Sequence, residues 1–188
     1  MPRRLLASVL LALAASCAVL PPPAADARPQ RESIAAFGLS GRIAVRHAGE
    51  THFAGIEWRH DGETDEIVLS GPLGQGLARL TAGGGAALLE TADGKRYAAA
   101  DLDGLAAQVF GAPIPVSGLS RWVLGRAAVD GQLRRDAAGR PVALVEQGWT
   151  IEYLRFESAA PQALPDLLRA RRGDTEVRLT IDGWELPR

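Results

Sequence analysis

The chain contains a single cysteine, Cys17, and its surroundings suit covalent modification of the thiol. The run from Leu5 to Ala15 is apolar or small except for Ser8, and Arg3 and Arg4 precede it. These eleven residues are too few to cross a bilayer, which takes about 20, but they match the hydrophobic region of an export signal. The sequence therefore predicts export, with Cys17 at the end of the signal.

Residues 14–17 (Ala-Ala-Ser-Cys) resemble the lipobox of bacterial lipoproteins, although leucine is more usual than alanine at the first position. The alternative is an unmodified cysteine after an ordinary secretory signal. If the resemblance holds, Cys17 becomes the acylated first residue of the mature chain, and several acyl chains make a stable anchor. Ala18 follows, where enterobacterial lipoproteins kept at the inner membrane tend to have aspartate. We therefore expect a lipid anchor in the outer membrane, with the protein facing the periplasm.

This interpretation divides the chain into three parts. Residues 1–16 are the predicted signal peptide. Residues 17–31 carry the lipidated cysteine and a Pro/Ala-rich tether, in which residues 21–23 (Pro-Pro-Pro) favour a semi-rigid, extended chain. Residues 32–188 form the predicted folded domain.

Other groups that could do chemistry do not form a recognisable constellation. His47, His52 and His60 are close in sequence, but they fall near predicted strand ends, where solvated side chains are more typical than a metal site. The acidic cluster at residues 61–66 is typical of a solvated hairpin tip, and the Gly74–Gly76 pair lacks the rest of a dinucleotide fingerprint. The sequence has no nucleophile elbow or Walker motif. We predict no enzyme activity, no metal and no cofactor.

The amino-acid composition further narrows the class of protein. The 188 residues are 47% hydrophobic and 23% charged, with a net charge of −1. This balance allows a real core and argues against a nucleic-acid binder, which needs a basic excess. The 21 glycines and 12 prolines suit many short strands and turns.

Alternating apolar residues predict a long meander of strands. The alternation begins at Phe37 and predicts eleven strands, of which the last is Glu176 to Asp182. A sheet this long with hairpin connections must be antiparallel, and its twist makes it curl. We predict a mainly β fold, a single curled antiparallel sheet that forms an open, incomplete barrel. The second run follows the turn at residues 48–50 and carries Ala54, Ile56 and Trp58 on one face and Glu57 and Arg59 on the other. The remaining runs are 66–71, 77–81, 86–91, 96–99, 129–135, 142–146, 149–156 and 164–171.

Two short helices interrupt the strands and are predicted to form a lid. Asp101 is the expected N-cap of the first, and Ser117 that of the second. A concave apolar sheet under two apolar helices would enclose a lipid-sized pocket. For the aromatic candidates, ordinary core packing is the alternative. The predicted pocket or lid residues are Val45, Trp58, Leu105, Trp122, Trp149 and Tyr153.

One apolar residue lies among turn formers. Leu73 is flanked by Pro72, which lacks an amide N–H, and by Gly71 and Gly74, so it is predicted at a loop tip. Either Leu73 folds back over the core, or it is exposed and contacts a membrane or a partner.

The order of these features is similar to that of the LolB family, outer-membrane lipoprotein receptors of the Lol sorting pathway. The resemblance covers the chain from Phe37 to Trp184, and its strength lies in the ordered set combined with the lipobox. The matching pieces are 39–45 (Leu-Ser-Gly-Arg-Ile-Ala-Val), Trp58, 71–74 (Gly-Pro-Leu-Gly), 113–116 (Pro-Ile-Pro-Val), Leu119, Trp122, Gly125, 147–149 (Gln-Gly-Trp), Tyr153, 164–165 (Leu-Pro) and 179–184.

The resemblance implies a half-barrel that binds acyl chains without covalent chemistry. It implies that lipidated proteins arrive from the periplasmic carrier LolA and are inserted into the inner leaflet of the outer membrane. It also implies that Leu73 is the exposed leucine of the insertion loop. We expect a monomer that binds no nucleic acid. The alternative is an envelope lipoprotein that binds lipid or has a structural role without transporting anything.

Overall fold

The computed structural model describes residues 28–110 and 114–187, so the predicted signal peptide, Cys17 and most of the tether lie outside the described residues. The described chain forms one antiparallel sheet of eleven strands, which confirms the predicted fold class. The strands are β1 (Phe37–His47), β2 (Glu50–His60), β3 (Asp65–Ser70), β4 (Gly76–Gly83), β5 (Ala86–Thr91), β6 (Arg96–Ala99), β7 (Gln132–Arg135), β8 (Pro141–Glu146), β9 (Trp149–Phe156), β10 (Pro165–Arg172) and β11 (Thr175–Glu185).

The spatial order of the strands is β6-β5-β4-β3-β2-β1-β11-β10-β9-β8-β7. The first and last strands therefore pair at the centre of the sheet, and the chain divides into two meanders on either side of them. β6 and β7 form the two edges and do not pair, so the curled sheet stays open. In the sequence, the two helices α1 (Leu102–Phe110) and α2 (Val116–Trp122) lie between β6 and β7. The described residues include no helix with the length and hydropathy required to span a bilayer.

The central pairing of β1 with β11 depends on a glycine. The register shifts by one residue between Ser40 and Gly41, which is a β-bulge. At Gly41 the two backbones approach so closely that a Cβ atom would collide with the carbonyl oxygen of Thr180. The bulge bends the sheet at the point where its two halves meet.

The ends of the helices agree only in part with the sequence prediction. The Asp101 carboxylate accepts the Gly104 N–H at 2.7 Å, which confirms Asp101 as a cap. The prediction for Ser117 was wrong, because α2 begins at Val116 after Pro115. The Ser117 side chain and N–H instead donate to Asp103, each at 2.8 Å, and so join the two helices.

The seventh strand is shorter than predicted. It begins at Gln132 rather than at Val129, and Val129 is fully exposed in the preceding loop. The Gly131 N–H donates to the Ala128 carbonyl and closes a turn there. This turn delays the start of strand pairing.

The N-terminal residues are fixed against the domain. Arg31, in a 3-10 turn (Arg31–Ser33), is buried, and its guanidinium donates to the carbonyl oxygens of Pro161 and Ala163 at 2.5 and 2.7 Å. Arg28 forms an ion pair with Glu157. We call residues 28–34 the N-terminal strap. Although the sequence placed residues up to 31 in the tether, the strap packs on the loop between β9 and β10.

Candidate functional site

The concave face of the sheet is divided into two unequal environments. Under β8 to β10 it is filled by side chains of α2 and the sheet, with Trp122 and Trp149 in contact at a ring-centroid distance of 6.1 Å. Leu144, Ile151 and Leu168 are also fully buried there. Under β1 to β4 and β11 the face is not filled, and it encloses a cavity.

This cavity has a volume of about 940 Å³, at the upper end of the range for small-molecule sites. Its walls come from the alternate residues of neighbouring strands, which point to the same face of a sheet. Its roof comes from Ile114 and from Val116 and Leu119 on α2. The lining is Ile43, Val45, His47, Ala48, Glu50, Thr51, His52, Phe53, Ala54, Ile56, Trp58, Ile67, Leu69, Pro72, Leu77, Leu80, Ile114, Val116, Leu119, Val177 and Leu179.

Aromatic side chains close one end of the cavity. Trp58 is buried, and its indole Nε1–H donates to Asp65 Oδ1 at 2.7 Å. Phe37 packs edge-on against Trp58 at 5.3 Å and against Trp184 at 5.6 Å. His60 Nδ1 lies 2.8 Å from the same Asp65 oxygen. This cluster makes a rigid floor at the end of the sheet where β1 begins.

The opposite end of the cavity is its mouth. The lining residues at the β1–β2 turn, Glu50, Thr51 and His52, are exposed to solvent, as is Pro72. His47 Nδ1 lies 2.8 Å from the Thr175 hydroxyl, which fixes its ring beside the turn between β10 and β11. Polar groups are thus confined to the opening, while the interior is apolar.

Leu73 stands beside this mouth in the loop between β3 and β4. Its side chain is 93% exposed. The loop is held by three hydrogen bonds: the Gly74 N–H donates to the Gly71 carbonyl, the Gly71 N–H to the Gln75 carbonyl, and the Leu73 N–H to Gln75 Oε1 at 3.1 Å. Gly74 has a φ of +79°, which favours glycine. The loop therefore presents Leu73 to solvent in a fixed conformation.

The structure brings together some of the predicted pocket residues and separates others. Val45 and Trp58 line the cavity. Leu105 and Trp122 are buried in α1 and α2, while Trp149 and Tyr153 are buried on β9, and none of these four is among the lining residues. Cys17 lies outside the described residues.

The sequence interpretation overlooked several residues of the site. Ala54, Leu69 and Leu179 were identifiable from the same alternation that singled out Val45. Gln75, whose side chain accepts the Leu73 N–H, lies in the predicted loop, but the sequence gives no signal for this hydrogen bond. Phe53, at the mouth, carries no sequence signal because its position predicts a solvent-facing residue.

A buried carboxylate holds α2 in place over the sheet. Glu146 on β8 accepts Arg121 Nη2 at 2.8 Å and the Ala128 N–H at 2.7 Å. Burial raises the pKa of Glu146, but the Ala128 N–H and the Arg121 guanidinium lower it more, and the net pKa lies below the usual value. The ionised Glu146 therefore fixes both the end of α2 and the loop that follows it.

The apolar interior of the cavity suits non-covalent binding of hydrocarbon. Among the described residues, no group of three or more His, Cys, Asp or Glu side chains could hold a metal ion together. An apolar space with one open end can bury hydrocarbon at about 0.8 kcal/mol per methylene. The arrangement suits a ligand with a long apolar part inside and a polar part at the mouth.

Comparison with known proteins agrees with this geometry. The family model described as "Outer membrane lipoprotein LolB" matches residues 35–184. The outer-membrane lipoprotein LolB of Azoarcus sp. (strain BH72) is 40% identical over 182 residues, covering 96% of this chain and 94% of that protein. The one from Dechloromonas aromatica (strain RCB) is 36% identical over 190 residues, covering 97% and 98%.

Solved structures share the fold at low sequence identity. A LolA superfamily protein from Nitrosomonas europaea superposes with a TM-score of 0.53 at 10% identity, over 83% of this chain and 88% of that chain. A DUF1329 family protein from Desulfovibrio piger gives 0.51 at 9% identity, over 83% and 87%. These similarities concern the half-barrel architecture alone.

Proposed function

Because the chain belongs to the LolB family of outer-membrane lipoproteins, we propose that it receives lipidated proteins and inserts their acyl chains into the outer membrane. The donor is the periplasmic carrier LolA. The protein itself is held at the outer membrane by acyl chains on Cys17 and faces the periplasm. Transfer breaks no covalent bond, so it requires no nucleophile, base or metal.

The observation that carries this proposal is the position of the cavity mouth beside Leu73. The interior, formed by residues such as Val45, Ile56 and Leu179, offers an apolar environment to an acyl chain. The exposed Leu73 stands where such a chain would leave. An apolar side chain held in water at the exit of the cavity fits delivery of an acyl chain into lipid.

Energetics support reversible binding over permanent storage. Each buried methylene contributes about 0.8 kcal/mol, so an enclosed pocket for a whole acyl chain would release it very slowly. This cavity is open at one end and carries polar side chains there, including Glu50 and His52. Part of a bound lipid therefore remains near water, and a bilayer provides the better solvent.

A two-step transfer assay tests the proposal. The purified protein is mixed with a fluorescent lipoprotein bound to the carrier, and liposomes are added in a second step without ATP. We expect the cargo to move first to the protein and then to the liposomes. A protein that binds a fluorescent fatty acid but takes no cargo from the carrier would instead support the non-transporting alternative.

A further inference from the structure

The described residues include six large apolar side chains that are exposed, and three of them lie around the cavity mouth. Phe53 is 69% exposed, Leu73 is 93% exposed and Leu77 is 39% exposed. Of the other three, Val145 lies on β8 and Leu154 on β9, and Val129 lies in the loop before β7. The exposed apolar residues near the cavity therefore form a group of their own.

The strand register brings these three residues to one place. Gly55 on β2 pairs with Ser70 at the end of β3, and Ser70 pairs with Gly76 at the start of β4. Phe53 lies two residues beyond Gly55 toward the mouth, and Leu77 is next to Gly76. The loop that carries Leu73 lies between them. Phe53 and Leu77 also line the cavity.

The charge pattern of this region fits a hydrocarbon surface. No Lys, Arg, Asp or Glu occurs in residues 51–56 or in residues 67–78, and Glu50, at the β1–β2 turn, is the one residue of these four types in the cavity lining. A surface for a protein partner normally has a polar or charged margin, whereas a surface that enters lipid must avoid charge. This uncharged region is also continuous with the apolar lining of the cavity.

Resting on the proposed function, we propose that Phe53, Leu73 and Leu77 form an apolar rim that enters the bilayer as a unit. In this arrangement the side of the cavity mouth next to Leu73 is placed against the hydrocarbon, and an acyl chain passes from cavity to membrane without crossing water. Leu73 enters at the loop tip, while Phe53 and Leu77 cover the two sides of the exit.

Depth-dependent quenching tests the rim directly. In the mature chain carrying Cys17→Ala, single cysteines replace Phe53, Leu73, Leu77 or, as the control, Leu154, which is 47% exposed near the other end of the sheet. Each is labelled with an environment-sensitive fluorophore and mixed with phosphatidylethanolamine–phosphatidylglycerol vesicles containing spin-labelled lipids. We expect quenching at positions 53, 73 and 77 and none at 154.

The outcomes separate this inference from the proposed function. Quenching at 73 without quenching at 53 and 77 would overturn the rim and leave a single-residue contact intact. No quenching at any position would contradict both the rim and the contact of Leu73 with the bilayer. In the transfer assay, Phe53→Ser should slow delivery about tenfold, equivalent to ~1.4 kcal/mol, and leave acceptance unchanged, whereas Leu154→Ser should change neither. If Phe53→Ser impairs acceptance instead, the rim contacts the carrier and not the bilayer.

Discussion

Leu73 and Arg31 lie at opposite ends of the sheet. Arg31 is fixed beside the loop between β9 and β10, at the end where β1 begins, and Leu73 lies beyond the other end of β2 and β3. The point where the N-terminal strap leaves the domain is thus a full strand length from the cavity mouth. For an anchored protein, this places the membrane attachment and the exit for cargo at different ends.

The maximum length of the tether is close to the distance between the two ends of the sheet. The 11 residues of β1 extend over about 35 Å. The 11 peptide units from Cys17 to Arg28 span at most about 36–40 Å. With the sheet upright, an anchored protein can bring Leu73 back to its own membrane only when the tether is almost fully extended, so the domain must tilt or the tether must run along it.

Shortening the tether should therefore impair delivery into the protein's own membrane. We predict that deletion of residues 20–26 in the lipidated protein leaves acceptance of cargo unchanged and slows delivery several-fold in vesicles that contain the anchored protein. The assay is sedimentation of fluorescent cargo with these vesicles. Replacement of the same residues by a Gly/Ser segment of equal length is the control and should restore delivery. Wild-type delivery by the shortened protein would show that length is not limiting.

The role of Leu73 predicts a variant with an isolated defect in delivery. Burial of a leucine gains about 1.5–3 kcal/mol, whereas a carboxylate resists entry into lipid. Since Leu73 is almost fully exposed, Leu73→Glu should leave the melting temperature nearly unchanged and still allow acceptance from the carrier. Delivery into liposomes should fail. A melting temperature lowered as for a core variant, or delivery at the wild-type rate, would contradict the membrane-contact role.

The cavity predicts that adding volume should reduce acyl binding. Ala54 lines the cavity opposite Ile43 of β1 and is only half-buried. Ala54→Trp should fill the space without introducing a charge and weaken binding of a fluorescent fatty acid, measured by titration. Ala98→Trp, at an exposed position on β6, is the matched control and should bind as the wild type does. Equal affinities for the two variants would mean that the ligand binds elsewhere.

Much of this arrangement follows from the amino-acid pattern, because a period of two fixes which side chains share a face. That period identified Val45 as a concave-face residue, and the Gly and Pro residues around Leu73 identified its loop. It could not decide which half of the sheet is filled. Both halves alternate in the same way, and the difference arises from tertiary packing of Trp122 against Trp149.

Residues that break the pattern were harder to interpret. Glu146 occupies a core-facing position in step with Leu144, so its burial was readable, but its partners Arg121 and Ala128 come from a distant segment. The alternation of β2 assigns Phe53 to the solvent-facing side, where a single apolar residue is ordinary. Its significance depends on strand register, which places it beside the Leu73 loop.

We predict that acyl chains on Cys17 anchor the protein to the outer membrane. If the thiol is acylated, Cys17→Ala should give a protein that no longer sediments with outer membranes while its domain keeps the wild-type melting temperature, because the folded part is unchanged. Mass spectrometry of the mature N-terminus measures the modification. An unmodified Cys17 in the wild-type protein would rule out the anchor.

The ion pair under α2 predicts a stability difference that depends on pH. Glu146→Gln removes the charge that holds Arg121 and Ala128, and Arg121 is partly exposed, so we expect a loss of about 1–3 kcal/mol at pH 7. Because the pKa of Glu146 is lowered in the folded state, its ionised form stabilises the fold above the unfolded-state pKa of about 4.3. That contribution disappears as the pH falls through the lowered pKa.

Urea unfolding of wild type and Glu146→Gln at a series of pH values measures this effect. The difference in unfolding free energy should be largest near neutral pH and shrink below about pH 4. Glu152→Gln is the control: Glu152 lies on the adjacent strand β9, on the outer face, and its pKa is lowered chiefly by the hydrogen bond from Arg169. Half-exposed pairs of this kind contribute about 0–1 kcal/mol, so this variant should lose less. Equal stability of Glu146→Gln and wild type at pH 7 would show that the carboxylate does not hold α2.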